Sequence, residues 1–292
     1  MKVLLAESAG FCFGVKRALE TVYEELDKNP EHIYTYGPII HNEIVVGELE
    51  KKGVVVIEEG DDLSKYEPGV IIIRSHGVPE NTIIDLEKRG FTIINATCPF
   101  VQKIQHSVKK YDKEDYKIVI TGDINHPEVQ GIIGWIGSHE YTVIKDVEDA
   151  RDLSFEKGEK VLVVSQTTFN FKKFEDIVEI IKKKGYDLLC LNTICNATWE
   201  RQKEASEVAD KVDVMIVIGG KHSSNSRKLY EICKEKNVDT YFIQTVDDLD
   251  FSVLKSIDSV GITAGASTPN KIIEEVQGTC QKKALNRCLK HQ

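Results

Sequence analysis

Three cysteines recur at one kind of place, the junction where a short apolar, strand-like run gives way to a helical pattern. Cys12 follows Val3-Leu4-Leu5-Ala6 and opens a helical stretch from Val15. Cys98 follows Phe91-Thr92-Ile93-Ile94-Asn95 and opens one from Phe100, and Cys195 follows Leu188-Leu189-Cys190-Leu191-Asn192 and opens one from Ala197. They lie 86 and 97 residues apart, about one small domain each. With each cysteine as an origin, an internal repeat emerges. A helix and a strand follow, then Gly37-Pro38-Ile39-Ile40-His41, Gly122-Asp123-Ile124-Asn125-His126 and Gly219-Gly220-Lys221-His222-Ser223, whose last residues stand 29, 28 and 28 positions past the cysteine. A second strand and polar turn come later in each unit: Arg74-Ser75-His76-Gly77, Ser165-Gln166-Thr167-Thr168 and Ala264-Gly265-Ala266-Ser267, with His76, Thr167 and Ser267 paired.

The repeat predicts three similar α/β lobes, 13–97, 98–194 and 195–280, followed by a solvated tail at 281–292. Strand-like runs at 33–36, 54–57, 70–73, 117–121, 141–144, 161–164, 213–218, 240–243 and 258–262 alternate with helical patterns at 15–28, 100–112, 171–184, 197–211, 225–236 and 269–282. Such alternation means an α/β fold with mostly parallel sheets. The third lobe lacks a strand after its last helix, whereas the others finish with 91–95 and 186–191. The N-terminal strand, within 1–12, is expected to complete the third sheet and close a pseudo-threefold trefoil around a central cavity. In open α/β sheets ligands sit at the carboxyl ends of strands, so the nine segments would aim at that cavity.

Composition narrows the function. The net charge of −9, with no basic stripe interleaved with aromatics, argues against nucleic acid as a partner. The longest apolar runs, such as Val70–Ile73, are too short for a membrane span, and the start MKVLLAESAG does not read as a secretory signal. A cytoplasmic location is expected. Seven cysteines in such a chain favour metal or redox chemistry over scattered disulfides. Cys190, Cys233, Cys280 and Cys288 read as small buried hydrophobes. His106, Lys221 and His222 read as surface residues, and Trp135 and Trp199 as packing.

A strand-to-helix turn exposes its cysteine where helix N–H groups favour a thiolate. Three such thiolates could form a zinc site, or an iron–sulfur cluster with one iron lacking a thiolate, or could simply pack. His41, His76 and His126 offer imidazole donors, and Ser223, Ser224, Asn225 and Ser267 add hydroxyl and amide donors, at a helix start suited to phosphate. Alone, each histidine is ordinary and Ser223-Ser224-Asn225 is a helix N-cap; the shared register favours an anion site. Glu128, in the first helical turn after Pro127, is the best carboxylate for moving protons, and Thr167 could orient a substrate hydroxyl.

At this point the chain resembles a known family. The segments Gly10-Phe11-Cys12-Phe13-Gly14-Val15, Gly37-Pro38-Ile39-Ile40-His41-Asn42, Arg74-Ser75-His76-Gly77-Val78-Pro79, Ala96-Thr97-Cys98-Pro99, His126-Pro127-Glu128-Val129, Ser165-Gln166-Thr167-Thr168, Thr193-Ile194-Cys195-Asn196-Ala197-Thr198, Ser223-Ser224-Asn225-Ser226 and Thr263-Ala264-Gly265-Ala266-Ser267 are similar to those of the LytB family. Its members are 4-hydroxy-3-methylbut-2-enyl diphosphate reductases, which close the methylerythritol phosphate route to isoprenoids. The resemblance implies a trefoil around a [4Fe–4S] cluster held by Cys12, Cys98 and Cys195, with the fourth iron open to the substrate's hydroxyl. It implies diphosphate binding by His41, His76, His126, Ser223, Ser224, Asn225 and Ser267, and a proton path through Thr167 and Glu128, with His126 beside it. It further implies electrons from ferredoxin or flavodoxin, and closure of one lobe over the ligand. Asn125 stands where the family usually has glycine, Asn196 where tyrosine is common, and Ser8-Ala9 where many members have Pro-Arg.

Two other readings compete. A quinolinate-synthase-like dehydratase would use iron as a Lewis acid without net reduction, but a dicarboxylate calls for arginine, and only Arg74 lies in the pocket turns. An iron–sulfur sensor or zinc-stabilised binding protein explains the cysteines but not Glu128 and Thr167 in register with them.

Overall fold

The computed structural model describes residues 1–138, 140–236, 239–254 and 257–290, with only the backbone for 286–290. In chain order the strands are β1 (Lys2–Leu5), β2 (Ile33–Tyr36), β3 (Val55–Ile57), β4 (Val70–Ile73), β5 (Thr92–Asn95), β6 (Lys117–Thr121), β7 (Tyr141–Ile144), β8 (Lys160–Ser165), β9 (Asp187–Cys190), β10 (Val214–Ile218), β11 (Asp239–Ile243) and β12 (Ser259–Ala264). The helices are α1 (Phe13–Asp27), α2 (Glu43–Glu50), α3 (Glu80–Lys88), α4 (Pro99–Asp112), α5 (Pro127–Ile133), α6 (Val147–Asp152), α7 (Phe171–Lys182), α8 (Asn196–Ala209), α9 (Ser224–Lys236) and α10 (Asn270–Lys290).

The strands form three four-stranded sheets, in the orders β3-β2-β4-β5, β7-β6-β8-β9 and β11-β10-β12-β1. Every pairing is parallel, so the sheets are wholly rather than mostly parallel. The order is the same in all three, and in the third the fourth strand is β1, paired with β12 from Lys2↔Ser259 to Leu5↔Ile262. The chain forms two compact units: Met1–Phe13, His41–Val45 and Asn196 onward make one, and Gly14–Ile40 with Val46–Cys195 the other. The third sheet lies in the former, the first and second sheets in the latter.

Parallel strands are covered on both faces and so read as continuous apolar runs. In the second sheet Ile118, Ile120, Leu162 and Val164 face one cluster with Ile104 and Val108 of α4 and Val129 and Ile132 of α5. Their neighbours Val119, Val161 and Val163 face another, with Phe174, Ile177, Val178 and Ile181 of α7. That two-residue alternation is the strand period meeting helices on each side. In α7 the four contacts recur at i, i+3, i+4 and i+7, and Asn170 caps the helix by accepting from the Lys173 N–H at 3.0 Å.

The helices α2, α3, α5 and α6 fall outside the long helical patterns of the sequence, because stretches of six to nine residues are too short to display a full apolar period. The expected tail from 281 is also different: α10 runs on to Lys290, and residues 291–292 lie outside the described residues. Among the described residues no helix is long and apolar enough to cross a membrane.

The strand order decides where a ligand can sit. In each sheet the first crossover runs toward one edge and the later ones toward the other, so the winding reverses between β2 and β4, β6 and β8, and β10 and β12. Ligands of open parallel sheets bind outside the carboxyl ends at such reversals. The loops flanking each reversal are the two polar turns marked by the repeat. Replacing Ile120, which is fully buried in the second sheet, by alanine should lower the stability of that lobe by about 2–5 kcal/mol, read as an earlier urea transition.

Candidate active site

Each of the three cysteines directly precedes a helix, α1, α4 or α8. Each is half-buried, and no cysteine among the described residues is in a disulfide. The backbone N–H of each is tied to the second polar turn of its own sheet. Cys12 donates to the Ala266 carbonyl at 3.1 Å, Cys98 to Ser75 at 2.9 Å and Cys195 to Thr167 at 3.1 Å. This pattern corrects the sequence register by one residue in the second lobe. Thr167 stands level with Ser75 and Ala266, two residues beyond the ends of β8, β4 and β12, and it is Thr168 that matches His76 and Ser267. Offsets counted along the chain give this turn no common register, because crossover lengths differ between lobes, whereas the strand ends do.

The remaining cysteines behave as their burial demands. Cys233 and Cys280 are fully buried, which pushes their thiols up to about 12 and about 11. Cys190 is half-buried against the α7 face of the second sheet, and burial raises its pKa too. The side chain of Cys288 lies outside the described residues.

In the unit holding the first two sheets, Glu128 is 2% exposed in the first turn of α5, with Pro127 at the first helical position. Its Oε1 accepts from the Thr167 N–H at 2.6 Å and its Oε2 from the Thr167 hydroxyl at 2.7 Å. Burial raises its pKa to about 7, against the two Thr167 hydrogen bonds, which lower it. A carboxyl poised there can give or take a proton near neutral pH, and the Thr167 hydroxyl can pass one by accepting and donating. His126 caps α5: its Nδ1 accepts from the Glu128 N–H at 3.1 Å, which leaves the ring proton of the neutral form on Nε2 as a donor. The His76 ring meets it edge-on, with centroids 5.6 Å apart. One residue upstream, Asn125 has no positive φ; its N–H donates to Asp123 Oδ1 at 3.0 Å, so glycine is not required in this turn.

Arg74, the one arginine in the turns, is not a ligand-facing group. It is buried, pairs with Glu59, and its Nε donates to the Gly77 carbonyl at 3.4 Å, bracing the His76 turn. Gly37 holds φ +69°, and a Cβ there would overlap the Arg74 guanidinium.

In the other unit, Ser223 precedes α9, and its hydroxyl oxygen accepts from the Ser226 hydroxyl at 2.9 Å and the Ser226 N–H at 3.3 Å. The N-cap reading is therefore correct, yet Asn225 behind it is 4% exposed with neither amide atom hydrogen-bonded among the described residues. Buried amides are ordinarily satisfied, so this one is an exception. Ser224 lies at the first helical position beside it. Ser267 donates its hydroxyl to the His41 carbonyl at 3.1 Å, so in this conformation it positions His41.

Three supporting residues carried no role in the sequence reading. Asn42 donates from Nδ2 to the Ser267 carbonyl at 2.9 Å and accepts at Oδ1 from the Val45 N–H at 3.2 Å, pinning the segment after His41. Ser226 is fully buried where a Cβ on Gly219 or Gly265 would overlap its hydroxyl. Gln105, also buried, fills the space beside Gly77. The glycines at the strand ends were the available signal for this close packing. Trp135 packs as expected and donates its indole N–H to the Val78 carbonyl at 3.0 Å. Trp199 does not: it is 40% exposed, with Lys203 over its ring. His106 and His222 lie at the surface.

Fold and site together define an α/β protein of three repeated parallel sheets, with thiols at its strand ends and a buried proton-exchanging acid. The family model described as LytB protein matches residues 3–281, and the chain belongs to that family. It is 52% identical over 278 residues, 94% of this chain and 95% of the relative, to a 4-hydroxy-3-methylbut-2-enyl diphosphate reductase of Caldanaerobacter subterraneus subsp. tengcongensis. It is 45% identical over 276 residues, 94% of this chain and 98% of the relative, to a protein of the same name from Clostridioides difficile. Among solved structures, the E-1-hydroxy-2-methyl-but-2-enyl-4-diphosphate reductase of Plasmodium falciparum matches with a TM-score of 0.88 at 34% identity, covering 96% of this chain and 87% of that one. A structure of (E)-4-hydroxy-3-methyl-but-2-enyl diphosphate reductase, described as the terminal enzyme of the non-mevalonate pathway, matches at 41% identity, with a TM-score of 0.68 and coverage of 97% and 100%.

The raised pKa of Glu128 has a thermodynamic signature. The folded state holds this proton more tightly than the unfolded state, so the contribution is fully present below about pH 4.5 and is lost as pH rises to about 7. Glu128→Gln should flatten the fall in stability across that window, by up to about 3 kcal/mol, measured as urea unfolding at a series of pH values.

Proposed function

We propose that this chain catalyses the two-electron reductive dehydroxylation of (E)-4-hydroxy-3-methylbut-2-enyl diphosphate to isopentenyl and dimethylallyl diphosphate, the last step of the methylerythritol phosphate route. Family membership and the names of the relatives support the reaction class. The observation that carries the reading to this chain is Glu128, buried, poised near neutrality and joined to Thr167 by two hydrogen bonds.

Cys12, Cys98 and Cys195 are the proposed ligands of one [4Fe–4S] cluster. Their residue type, reduced state, half-burial and shared anchoring to the second polar turns fit thiolate ligation. When bound, the cluster would supply electrons singly and an iron without a thiolate as a Lewis acid. The protein's own part is binding and proton delivery. Asn225, Ser223, Ser224, His41, His76, His126 and Ser267 are the proposed diphosphate donors, with Asn225 the best supported by its unsatisfied amide. Holding the diphosphate fixes the hydroxyl end, so remote binding energy is used for orientation. Thr167 orients the hydroxyl, and Glu128 protonates the departing oxygen, a poor leaving group as hydroxide and a good one as water. The second proton, with two electrons, completes the reaction: protonation at one of two carbons gives isopentenyl diphosphate and at the other dimethylallyl diphosphate.

The three lobes at 13–97, 98–194 and 195–280, with 1–12 joined to the third, belong to the same proposal. So do a small one-electron carrier of the ferredoxin or flavodoxin type as donor, and a cytoplasmic setting that keeps the thiols reduced.

Anaerobic assay of reduced protein with the hydroxylated diphosphate tests the reading; no consumption would end it. In that assay Glu128→Gln should lower kcat by about 10²–10⁴-fold while leaving diphosphate affinity and cluster absorbance intact. Cys98→Ser should lose iron and sulfide on anaerobic purification, and a full complement in that variant would remove Cys98 from the ligand set.

A further inference from the structure

The loop that carries Cys12 is built differently from the other two. After β5, Asn95 accepts at Oδ1 from the Thr97 N–H at 3.0 Å, and after β9, Asn192 accepts at Oδ1 from the Ile194 N–H at 3.1 Å. Each asparagine closes its own turn just before the cysteine. The stretch after β1 has no asparagine and is longer, seven residues from Leu5 to Cys12 against three from Asn95 to Cys98 and five from Cys190 to Cys195. Ala9 N–H closes a turn on the Ala6 carbonyl at 3.2 Å, but the two amides between them are satisfied from outside. Glu204 of α8 accepts the Glu7 N–H at 2.6 Å on Oε1, and the Ser8 N–H at 2.9 Å and the Ser8 hydroxyl on Oε2. One turn earlier on the same helix Arg201, 5% exposed, donates to the Ala197 carbonyl at 2.9 Å and to the Gly10 carbonyl at 2.7 Å. Gly10 itself sits at φ +107°, in a region L side chains rarely adopt, and the loop's ends are tied by Ala6 N–H to Ile262 at 2.8 Å and Cys12 N–H to Ala266 at 3.1 Å.

We propose that Glu204 and Arg201 are positioning residues that hold the Cys12 loop in the conformation required for metal ligation, doing from α8 what Asn95 and Asn192 do within their own loops. The inference rests on the reading of Cys12 as a cluster ligand. It also gives Ser8 a role: a proline there would have no N–H or hydroxyl for the carboxylate. A glutamine at 204 keeps the shape but turns an NH₂ toward one set of donors, and a lysine at 201 lacks the planar fork of separate nitrogens that reaches the two carbonyls here.

Alkylation by iodoacetamide of the cluster-free protein, followed site by site by mass spectrometry, reads the loop without any cluster. Glu204→Gln should alkylate about tenfold faster at Cys12, the size expected for losing a charge-assisted hydrogen bond, with Cys98 and Cys195 unchanged. Ser8→Ala, which removes one of the three bonds to the carboxylate, should give a smaller increase at the same site, and Glu204→Asp should partly restore the wild-type rate. In the reconstituted protein, iron release to a chelator should accelerate in the same order. Unchanged Cys12 alkylation in Glu204→Gln, or equal acceleration at all three cysteines, overturns the proposal. Failure of the wild-type protein to take up a cluster would instead sink the ligand reading, while the alkylation pattern still decides the clamp.

Discussion

Parallel pairing is the constraint from which the rest of this molecule follows. A parallel strand can be reached only by crossing over the sheet, so every strand of a sheet delivers its carboxyl end to the same rim. The orders β3-β2-β4-β5, β7-β6-β8-β9 and β11-β10-β12-β1 then put each winding reversal between two inner strands. The polar turns that leave those strands, and the cysteines that follow the edge strands, gather on one rim of each sheet without any further instruction. The apolar strands between them, buried on both faces, supply a stiff frame for side chains that must not drift.

Against that frame the polar groups divide into those that act and those that hold. Glu128 is costly to bury, and its cost is what makes it useful: desolvation lifts the carboxyl toward neutrality while Thr167 limits the rise. Asn225 has no hydrogen-bond partner for its amide among the described residues. Arg74, Asn42 and Ser226 direct their hydrogen bonds to neighbouring backbone and side chains. The distinction is visible only in three dimensions, since asparagine occurs in both groups.

Much of this was legible from residue order. The strand-then-glycine-then-polar pattern located the first turn in each lobe and a strand-then-polar pattern the second, and Pro127 fixed the start of α5 so that Glu128 fell in its first turn. What the chain could not reveal was contact between residues far apart in it. The Glu204 grip on Glu7 and Ser8 spans nearly two hundred residues, and no local pattern announces it. Thr167 was chosen for its place in the turn, but its alignment with Ser75 and Ala266 rather than His76 and Ser267 needed the strand ends as a common ruler. The short helices α2, α3 and α6 escaped for a related reason: they are set by crossover geometry more than by their own apolar period.

The burial of Cys233 and Cys280 has a consequence for how such a molecule ages. With thiols at about 12 and about 11 and no exposed surface, only roughly one in 10⁴ to 10⁵ is ionised at neutral pH, and neither is reachable by oxidants. Air would therefore attack the half-buried sulfurs at the strand ends first, and the interior would survive.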